Sequence, residues 1–318
     1  MKRKRIILLL VIFGVLEVFA IAYAVWPMLT YKKTVYSKEI RLGIVPDISK
    51  AHSEKEWETF LDVFKDEKSF KIRPYFANSY DEAIKGFIAG SLDMLYINPA
   101  VFIDLKNQYN AKALVYRRFP KREKDKNRSA LIAREGVKYI DDTKGLRISF
   151  TDMSSLTGYI MAEHYLKEKL QVNKLTDWFS EVSFSGSEYL SFEKFKDKST
   201  DIIAVNLMDL AEYSKVSGED AKATTLVPFW ISMALPEHLI CLSSASKYYK
   251  NNEFLENFKN TLWMDSKKVY QRSEMIDGNL VTFEPVDYNF NEKLENLRKF
   301  LENPRNLLHN NDKVKGGK

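Results

Sequence analysis

From Ile40 onward the chain alternates short apolar runs with segments whose apolar residues have helical spacing, and this alternation limits the fold more than any other feature. The run IRLGIVPD, residues 40–47, predicts a buried strand that ends at a proline turn. A helix at residues 53–67, a strand at 71–77, a helix at 79–93 and a strand with a turn at 94–102 follow. Strands and helices in this order are typical of an α/β sheet with parallel crossovers.

The same order recurs after a basic run at residues 117–128. Strands are predicted at residues 129–136, 145–150, 181–186, 201–207 and 235–243, and helices at 159–170, 190–195, 253–263 and 291–301. The sequence therefore predicts an α/β protein of two lobes with a ligand cleft between them, because ligands of open α/β sheets bind beyond the carboxyl ends of the strands. The predicted bounds are 38–135 with 235–305 for the first, discontinuous lobe, 136–234 for the second lobe, and 306–318 for a polar tail.

Residues 1–30 predict where the protein is located. Four basic residues, Lys2 to Arg5, precede an apolar run from Ile6 to about Met28 that is long enough to span a bilayer. Positive charge before the run predicts a single helix in a bacterial inner membrane, with the body in the periplasm or extracytoplasmic space. The alternative is a cleaved signal segment, since Ala22-Tyr23-Ala24 has the pattern that signal peptidase reads, and the protein would then be secreted after cleavage near Ala24.

Composition excludes several classes of function. The net charge of +6 lies partly in the terminal segments, so no nucleic-acid partner is predicted. Cys241 is the only cysteine, which rules out an internal disulfide, a thiolate zinc site and a lipid-anchoring cysteine after the apolar run; a buried core position is expected for it. The four histidines lack metal-ligand spacing, and no nucleotide-binding or nucleophile motif is found. The sequence predicts neither metal, cofactor nor enzyme activity.

The stretch FTDMSSLTGYIMAEHYL, residues 150–166, is the most informative for function. A strand-like run passes through three hydroxyl residues and a glycine directly into an amphipathic helix. The hydroxyls can cap the helix start, where backbone N–H groups lack partners. The same geometry can instead hold an oxyanion, because free N–H groups and hydroxyls point at one place.

The motifs LGIVPD, WETFLDVF, AGSLDMLYINPAVF, LRISFTDMSSLTGYIMAEHYL, VSFSGSEYL and DIIAVN, in this order, resemble the phosphate/phosphite/phosphonate-binding family. The resemblance covers about residues 40–263. It implies a type 2 periplasmic-binding-protein fold and the role of an extracytoplasmic solute-binding protein of an ABC importer. In that family the turn typically reads Asp-Pro-x-Ser-Thr-Ser-Gly. Here Leu156 stands where the family has a threonine, Glu188 where it usually has a histidine, and Asn98 where it usually has a glycine.

The resemblance implies ligand contacts from the turn and from other strand ends. The candidate ligand-binding residues are Ser154, Ser155, Thr157, Gly158, Tyr96, Asp47, Glu188 and Asn206. For the turn, plain helix capping is the alternative, and for Tyr96 it is core packing. Asp47 is the candidate to meet a ligand amine, and Glu188, if it faces the cleft, would meet a positive or hydrogen-bond-donating group.

Two functions are predicted. The first is capture of a small, oxyanion-bearing ligand of the phosphonate or phosphate kind for an ABC permease, by lobes that close on it. The alternative is a membrane-tethered sensor or assembly module with the same fold and altered or lost ligand binding, which Leu156 and Glu188 favour. The basic run at residues 117–128 is interpreted as a solvated connection, with contact to anionic lipids or a partner protein as the alternatives.

Overall fold

The computed structural model describes residues 38–45, 50–62, 64, 70–119, 127–210, 226–271, 275–276 and 279–302. The chain divides into two units by its contacts. One consists of residues 1–39 and 66–71, of which only residues 38, 39, 70 and 71, at the starts of two strands, are described. All the other described residues belong to the second unit. The predicted membrane segment and polar tail lie outside the described residues, and no helix within the described ranges is long and apolar enough to cross a bilayer.

Thirteen strands and seven helices are described. The strands are β1 Lys38–Ile44, β2 Phe70–Phe76, β3 Met94–Ile97, β4 Lys112–Arg118, β5 Ser129–Ala133, β6 Arg147–Phe150, β7 Glu181–Phe184, β8 Ile202–Asn206, β9 Pro228–Ile231, β10 Leu239–Leu242, β11 Met275–Ile276, β12 Asn279–Leu280 and β13 Thr282–Pro285. The helices are α1 Lys50–Asp62, α2 Tyr80–Ile88, α3 Pro99–Tyr109, α4 Met161–Leu170, α5 Glu188–Lys196, α6 Asn252–Gln271 and α7 Tyr288–Glu302.

Two mixed sheets form the framework. The first has the order β13-β4-β10-β3-β1-β2, with β1 parallel to β3, and β10 antiparallel to both of its neighbours. The second has the order β7-β6-β8-β5-β9, with β6 parallel to β7 and β8. β5 pairs with β8 and β9 in this second sheet, although the predicted lobe bounds put residues 129–133 in the first lobe. The other predicted strands and helices occur in the predicted order, but β4, β9 and β13 were not predicted from the sequence.

One helix was not predicted. The sequence pattern predicts a strand and a turn over residues 94–102, whereas the structure starts α3 at Pro99. Asn98 caps this helix, since its Oδ1 accepts a hydrogen bond from the N–H of Val101 at 3.1 Å. Proline is well tolerated at a first helical position, where its missing N–H would have had no intrahelical acceptor. The proline that indicates a turn therefore begins a helix here.

Each sheet carries its own apolar core. Residues from β3, α2, α3 and β10 form one cluster, which includes Phe87, Leu95 and the fully buried Cys241, as predicted for this cysteine. The second sheet packs Ile148, Phe150 and neighbouring residues against α4. A third cluster brings residues of α3 and α7 together with residues near the start of α4, so that helices belonging to both sheets share one buried apolar contact.

An arginine–aspartate pair recurs in both sheets. The backbone N–H, Nε and Nη2 of Arg41 in β1 donate to the carboxylate of Asp93, just before β3, at 2.8–3.0 Å. Arg147 in β6 makes the same three bonds to Asp201, just before β8, at 2.9–3.0 Å. Bidentate pairs of this kind fix geometry as well as charge. Each pair therefore fixes the start of a parallel strand relative to its neighbour.

The Arg147–Asp201 pair should make stability depend on pH. Hydrogen bonds from Arg147 lower the pKa of Asp201 to about 2. A carboxylate whose pKa is lower in the folded state stabilises the fold above its unfolded pKa, near 4, and loses that contribution as the pH falls towards 2. We expect Asp201→Asn to lower the free energy of unfolding by about 2 kcal/mol at neutral pH, and the difference from the unchanged protein should shrink between pH 4 and pH 2.

Urea unfolding at a series of pH values measures this difference. Asp177→Asn, at an exposed carboxylate of the same half of the chain, is the matched control and should show little effect at any pH. A difference that stays constant down to pH 2 would show that the charge of Asp201 is not what stabilises the fold.

Candidate functional site

A cavity lies where β3, β6 and β8 end, and residues of both sheets line it. Its wall includes Tyr80, Asn98, Arg117, Asn127, Thr151, Asp152, Ser155, Leu156, Thr157, Glu188, Asn206, Asp209 and His238. The volume open to the centre of a water molecule is about 50 Å³. Since one water occupies about 10–15 Å³ on this measure, the cavity has room for about four waters, or a group of similar size.

The turn after β6 is organised by its own hydrogen bonds. Oδ1 of Asp152 accepts from the N–H of Ser154 at 2.7 Å, and the carbonyl of Asp152 accepts from the N–H of Ser155 at 2.9 Å. Oγ of Ser155 accepts from the N–H of Gly158 at 3.0 Å, so Ser155 caps the helix that follows. The capping interpretation is therefore correct for Ser155, which also lines the cavity.

The helix start leaves donors for a ligand. A π-helical turn, Leu156–Ile160, runs directly into α4, so the two form one continuous helix. No described residue accepts a hydrogen bond from the backbone N–H of Leu156 or Thr157, and both residues line the cavity. Unpaired N–H groups at the positive end of a helix dipole favour an anion. This end of the cavity can thus hold an oxyanion.

Thr151 adds a buried hydroxyl beside these donors. The residue is 2% exposed, and its Oγ1 has no hydrogen-bond partner among the described residues. Buried polar groups are normally hydrogen-bonded, so an unpartnered one in a cavity wall marks a place where a ligand atom or water belongs. Gly158 lies against it: a Cβ added there would come within 2.0 Å of Oγ1. Only glycine lets the helix start this close to Thr151.

Glu188 lies on the same wall, and its carboxylate accepts hydrogen bonds from neighbouring donors. It is the first residue of α5 and is 9% exposed. Both of its carboxylate oxygens accept from the backbone N–H of Asn206, each at 2.9 Å. Oε1 also accepts from the hydroxyl of Thr157 at 3.3 Å. Glu188 therefore lies in the cavity wall, and its contact with a ligand stays a prediction.

The first sheet contributes Arg117 and His238. Arg117 is 3% exposed, and its Nη2 donates to Glu237 at 3.3 Å and to Nδ1 of His238 at 3.2 Å. Burial, and then the nearby guanidinium, hold the pKa of His238 well below its usual value. His238 is therefore neutral at physiological pH, with Nδ1 as an acceptor and the proton on Nε2.

Two contacts join the sheets at the site. The side-chain amide of Asn98 donates to the carbonyl of Ser154 at 2.8 Å and to the hydroxyl of Tyr80 at 3.3 Å. Leu156, at 3% exposed, belongs to the apolar cluster that also contains Ala100 and Phe300. The side chain of Leu156 therefore packs between helices of the two sheets.

The predicted site residues fall into three groups. Ser155, Thr157, Glu188 and Asn206 line the cavity, whereas Ser154 and Gly158 belong to the same turn without lining it. Tyr96 also lies outside the lining: it packs edge-on to Trp57 with ring centroids 4.9 Å apart and stacks on His238 at 5.3 Å. Asp47 lies outside the described residues. Ligand contact by these residues stays a prediction.

Among the lining residues that were not predicted from the sequence are Arg117, His238, Thr151 and Asn127. Thr151 could have been included, because it stands next to the turn motif. Arg117 was counted in the basic run interpreted as solvated, but the structure buries it at the end of β4. The rest of that run, residues 120–126, lies outside the described residues. No signal in the sequence marked His238 or Asn127.

The formal charges around the cavity are unequal. Arg117 is the only permanently positive side chain among the described lining residues, whereas Asp152, Glu188 and Asp209 are acidic. The affinity for an anion therefore depends on the backbone and hydroxyl donors and on how close Arg117 lies, not on net charge. Within the described ranges, no group of three or more potential ligands could hold a metal ion.

One protein family and many solved structures are similar to this chain. The family described as "ABC transporter, phosphonate, periplasmic substrate-binding protein" matches residues 42–287. No curated protein matches the chain. Among solved structures, a binding protein component of an ABC phosphonate transporter from Pseudomonas aeruginosa superposes with a TM-score of 0.68 at 18% identity, covering 84% of this chain and 87% of that one.

Two further structures are similar. PhnD1 of Prochlorococcus marinus, in complex with methylphosphonate, has a TM-score of 0.61 at 15% identity, covering 82% of this chain and 96% of that one. The aliphatic sulphonate binding protein SsuA of Escherichia coli has a TM-score of 0.56 at 14% identity, covering 84% and 88%. At these identities the likeness shows the fold, and it confirms the predicted two-lobed periplasmic-binding-protein fold.

The contact between Gly158 and Thr151 gives a prediction. We expect Gly158→Ala to destabilise the protein by about 1–3 kcal/mol, because the new methyl group forces Thr151 or the helix start to move. Chemical denaturation monitored by circular dichroism measures the loss. Gly86→Ala in α2 is the control, since its Cβ would meet side-chain atoms of Leu92 and Ser91 at 3.1–3.2 Å, a much milder overlap than the 2.0 Å at Gly158. If both variants unfold at the same denaturant concentration, the contact is not tight.

Proposed function

The chain belongs to the family of phosphonate-binding periplasmic proteins of ABC transporters, and from this premise we propose that it captures a small ligand bearing a tetrahedral oxyanion, such as a phosphonate or phosphate, for an ABC importer. The family is one of solute-binding transport proteins, which supports the interpretation of the chain as a binding protein. The class of ligand and the permease are the proposed parts.

One observation carries the proposal: donors of different kinds converge on one small cavity. Its lining includes Leu156 and Thr157, whose N–H groups have no acceptor among the described residues, Thr151, whose buried hydroxyl is unpartnered there, and Arg117. Thr151, Leu156 and Thr157 follow β6 of the second sheet, whereas Arg117 lies near the end of β4 in the first sheet. A tetrahedral oxyanion presents acceptors in several directions and can use donors from both sides at once.

Size supports a ligand of this class. A water-centre volume of about 50 Å³ fits a phosphate-sized group and little more. Because the wall is built from both sheets, bound ligand would favour the arrangement in which the sheets approach each other, and a permease could then recognise that arrangement.

The location follows in part from the family. Members are described as periplasmic, which indicates an extracytoplasmic body. We propose further that residues 1–30 anchor the body to the inner membrane, because a basic segment precedes an apolar run long enough to span a bilayer. Cleavage near Ala24 remains the alternative that N-terminal sequencing of the mature protein would reveal.

Thermal melting of the full-length chain in mild detergent tests the proposed function. We expect a saturable rise in melting temperature with methylphosphonate, phosphite or phosphate, because a ligand that binds only the folded state stabilises it by mass action. Amino acids and small cations serve as chemically different controls. No rise with any oxyanion would contradict the proposal and favour the sensor or assembly module.

The Thr151 hydroxyl separates a binding role from a structural one. Thr151→Val keeps the shape and removes a hydroxyl that has no described partner, so the melting temperature of the free protein should not fall. Affinity for the oxyanion that stabilises the unchanged protein should weaken by about tenfold or more, the usual effect of one lost hydrogen bond to a charged group. Isothermal titration calorimetry measures the affinity.

Ser149 provides the matched control. Its hydroxyl is also fully buried and unpartnered among the described residues, but it lies within β6 and outside the cavity lining. Ser149→Ala should leave affinity unchanged. Equal affinities of the Thr151→Val variant and the unchanged protein would remove Thr151 from the site.

A further inference from the structure

Glu188 accepts hydrogen bonds from donors that an oxyanion in this cavity would also need. The hydroxyl of Thr157, a donor of the turn, donates to Oε1 of Glu188 at 3.3 Å. The N–H of Asn206, at the end of β8, donates to both oxygens of the same carboxylate at 2.9 Å. A carboxylate and one face of a tetrahedral oxyanion present the same pair of charged acceptor oxygens. We propose that Glu188 is a built-in competitor of the ligand that sets the charge selectivity of the site and disfavours fully ionised dianions.

The position of Glu188 is fixed by its helix. The hydroxyl of Ser187 accepts from the N–H of Leu190 at 3.2 Å and so caps α5, and Glu188 follows as the first helical residue. A carboxylate in the first turn of a helix is stabilised by the dipole. If its side chain rotated away, the buried N–H of Asn206 would lose its acceptor, which is unfavourable. The negative charge of Glu188 is therefore already present in the cavity wall when an anion binds.

The other charged residues of the cavity wall do not offset the negative charge of Glu188. The described lining residues include one arginine, Arg117, and three acids, and among these acids Glu188 accepts from the hydroxyl of Thr157. His238 adds no charge, because burial and Arg117 keep its pKa low. Like charges repel strongly in a partly dry site. A dianion such as sulfate, which has no proton to donate to Glu188 at neutral pH, is disfavoured most.

The inference rests on the proposed function, and one set of titrations tests both. The affinities of sulfate and methylphosphonate are measured by isothermal titration calorimetry at neutral pH for the full-length chain and for Glu188→Gln. Glutamine keeps an oxygen that can accept from Asn206 and removes the charge. We expect Glu188→Gln to bind sulfate at least about tenfold more tightly than the unchanged protein, with a smaller gain for methylphosphonate.

Glu193→Gln is the matched control, because it removes the same charge from the same helix outside the cavity lining. Its affinities should stay within about twofold of the unchanged protein, since a charge farther from the ligand is better screened. If both variants tighten sulfate binding equally, the effect comes from net charge and the inference is wrong.

The outcomes separate the two proposals. If the unchanged protein binds methylphosphonate and Glu188→Gln binds neither anion more tightly, the inference is overturned and the proposed function stands. Binding by the Glu188→Gln variant alone supports the inference and contradicts oxyanion capture by the native chain. If neither protein binds either anion, both fail. Melting curves show whether Glu188→Gln is folded, and Glu188→Asn, which also removes the charge and keeps an amide oxygen, replaces it if it is not.

Discussion

The position of the site depends on two arginine–aspartate pairs. Arg41 with Asp93 in the first sheet, and Arg147 with Asp201 in the second, fix where β3 and β8 begin relative to their parallel neighbours. β3 is four residues long and is followed by Asn98, and β8 is five residues long and ends at Asn206. Because the start of the strand is fixed, its end is fixed too. Asn98 and Asn206 are thereby placed at the same cavity, and each side chain accepts from a backbone N–H just beyond it.

Two residues that differ from the family pattern make contacts of their own in this structure. Asn98, where a glycine is usual, bridges to the carbonyl of Ser154 on the other sheet. Leu156, where a threonine is usual, loses a hydroxyl but packs with helices of the first sheet. Both changes add contacts between the sheets next to the ligand site. Contacts of this kind stabilise the arrangement in which the sheets are close, so less of that stabilisation has to come from the ligand.

The strand and helix order could be predicted because it depends on local periodicity, as in β6 and α4. Much of the second-sheet wall could be predicted too, since Ser155 and Thr157 follow one strand in an unbroken motif. The part of the cavity wall that comes from the first sheet could not be predicted from the sequence. His238 reaches Arg117 only because β10 inserts antiparallel between β3 and β4, a pairing across more than a hundred residues. The same pairing stacks the buried Tyr96 on His238.

The site thus combines two opposing electrostatic features. The N–H groups at the helix start and Arg117 favour an anion, whereas Glu188 and its acidic neighbours oppose one. The second effect need not cancel the first, because hydrogen bonds act over short distances and depend on direction, while a carboxylate already paired with the N–H of Asn206 has part of its charge satisfied. A ligand that places its oxyanion at the helix start and turns an uncharged or proton-bearing group towards Glu188 uses the donors and avoids the repulsion. Selectivity would then depend on the orientation of the ligand as well as on its charge.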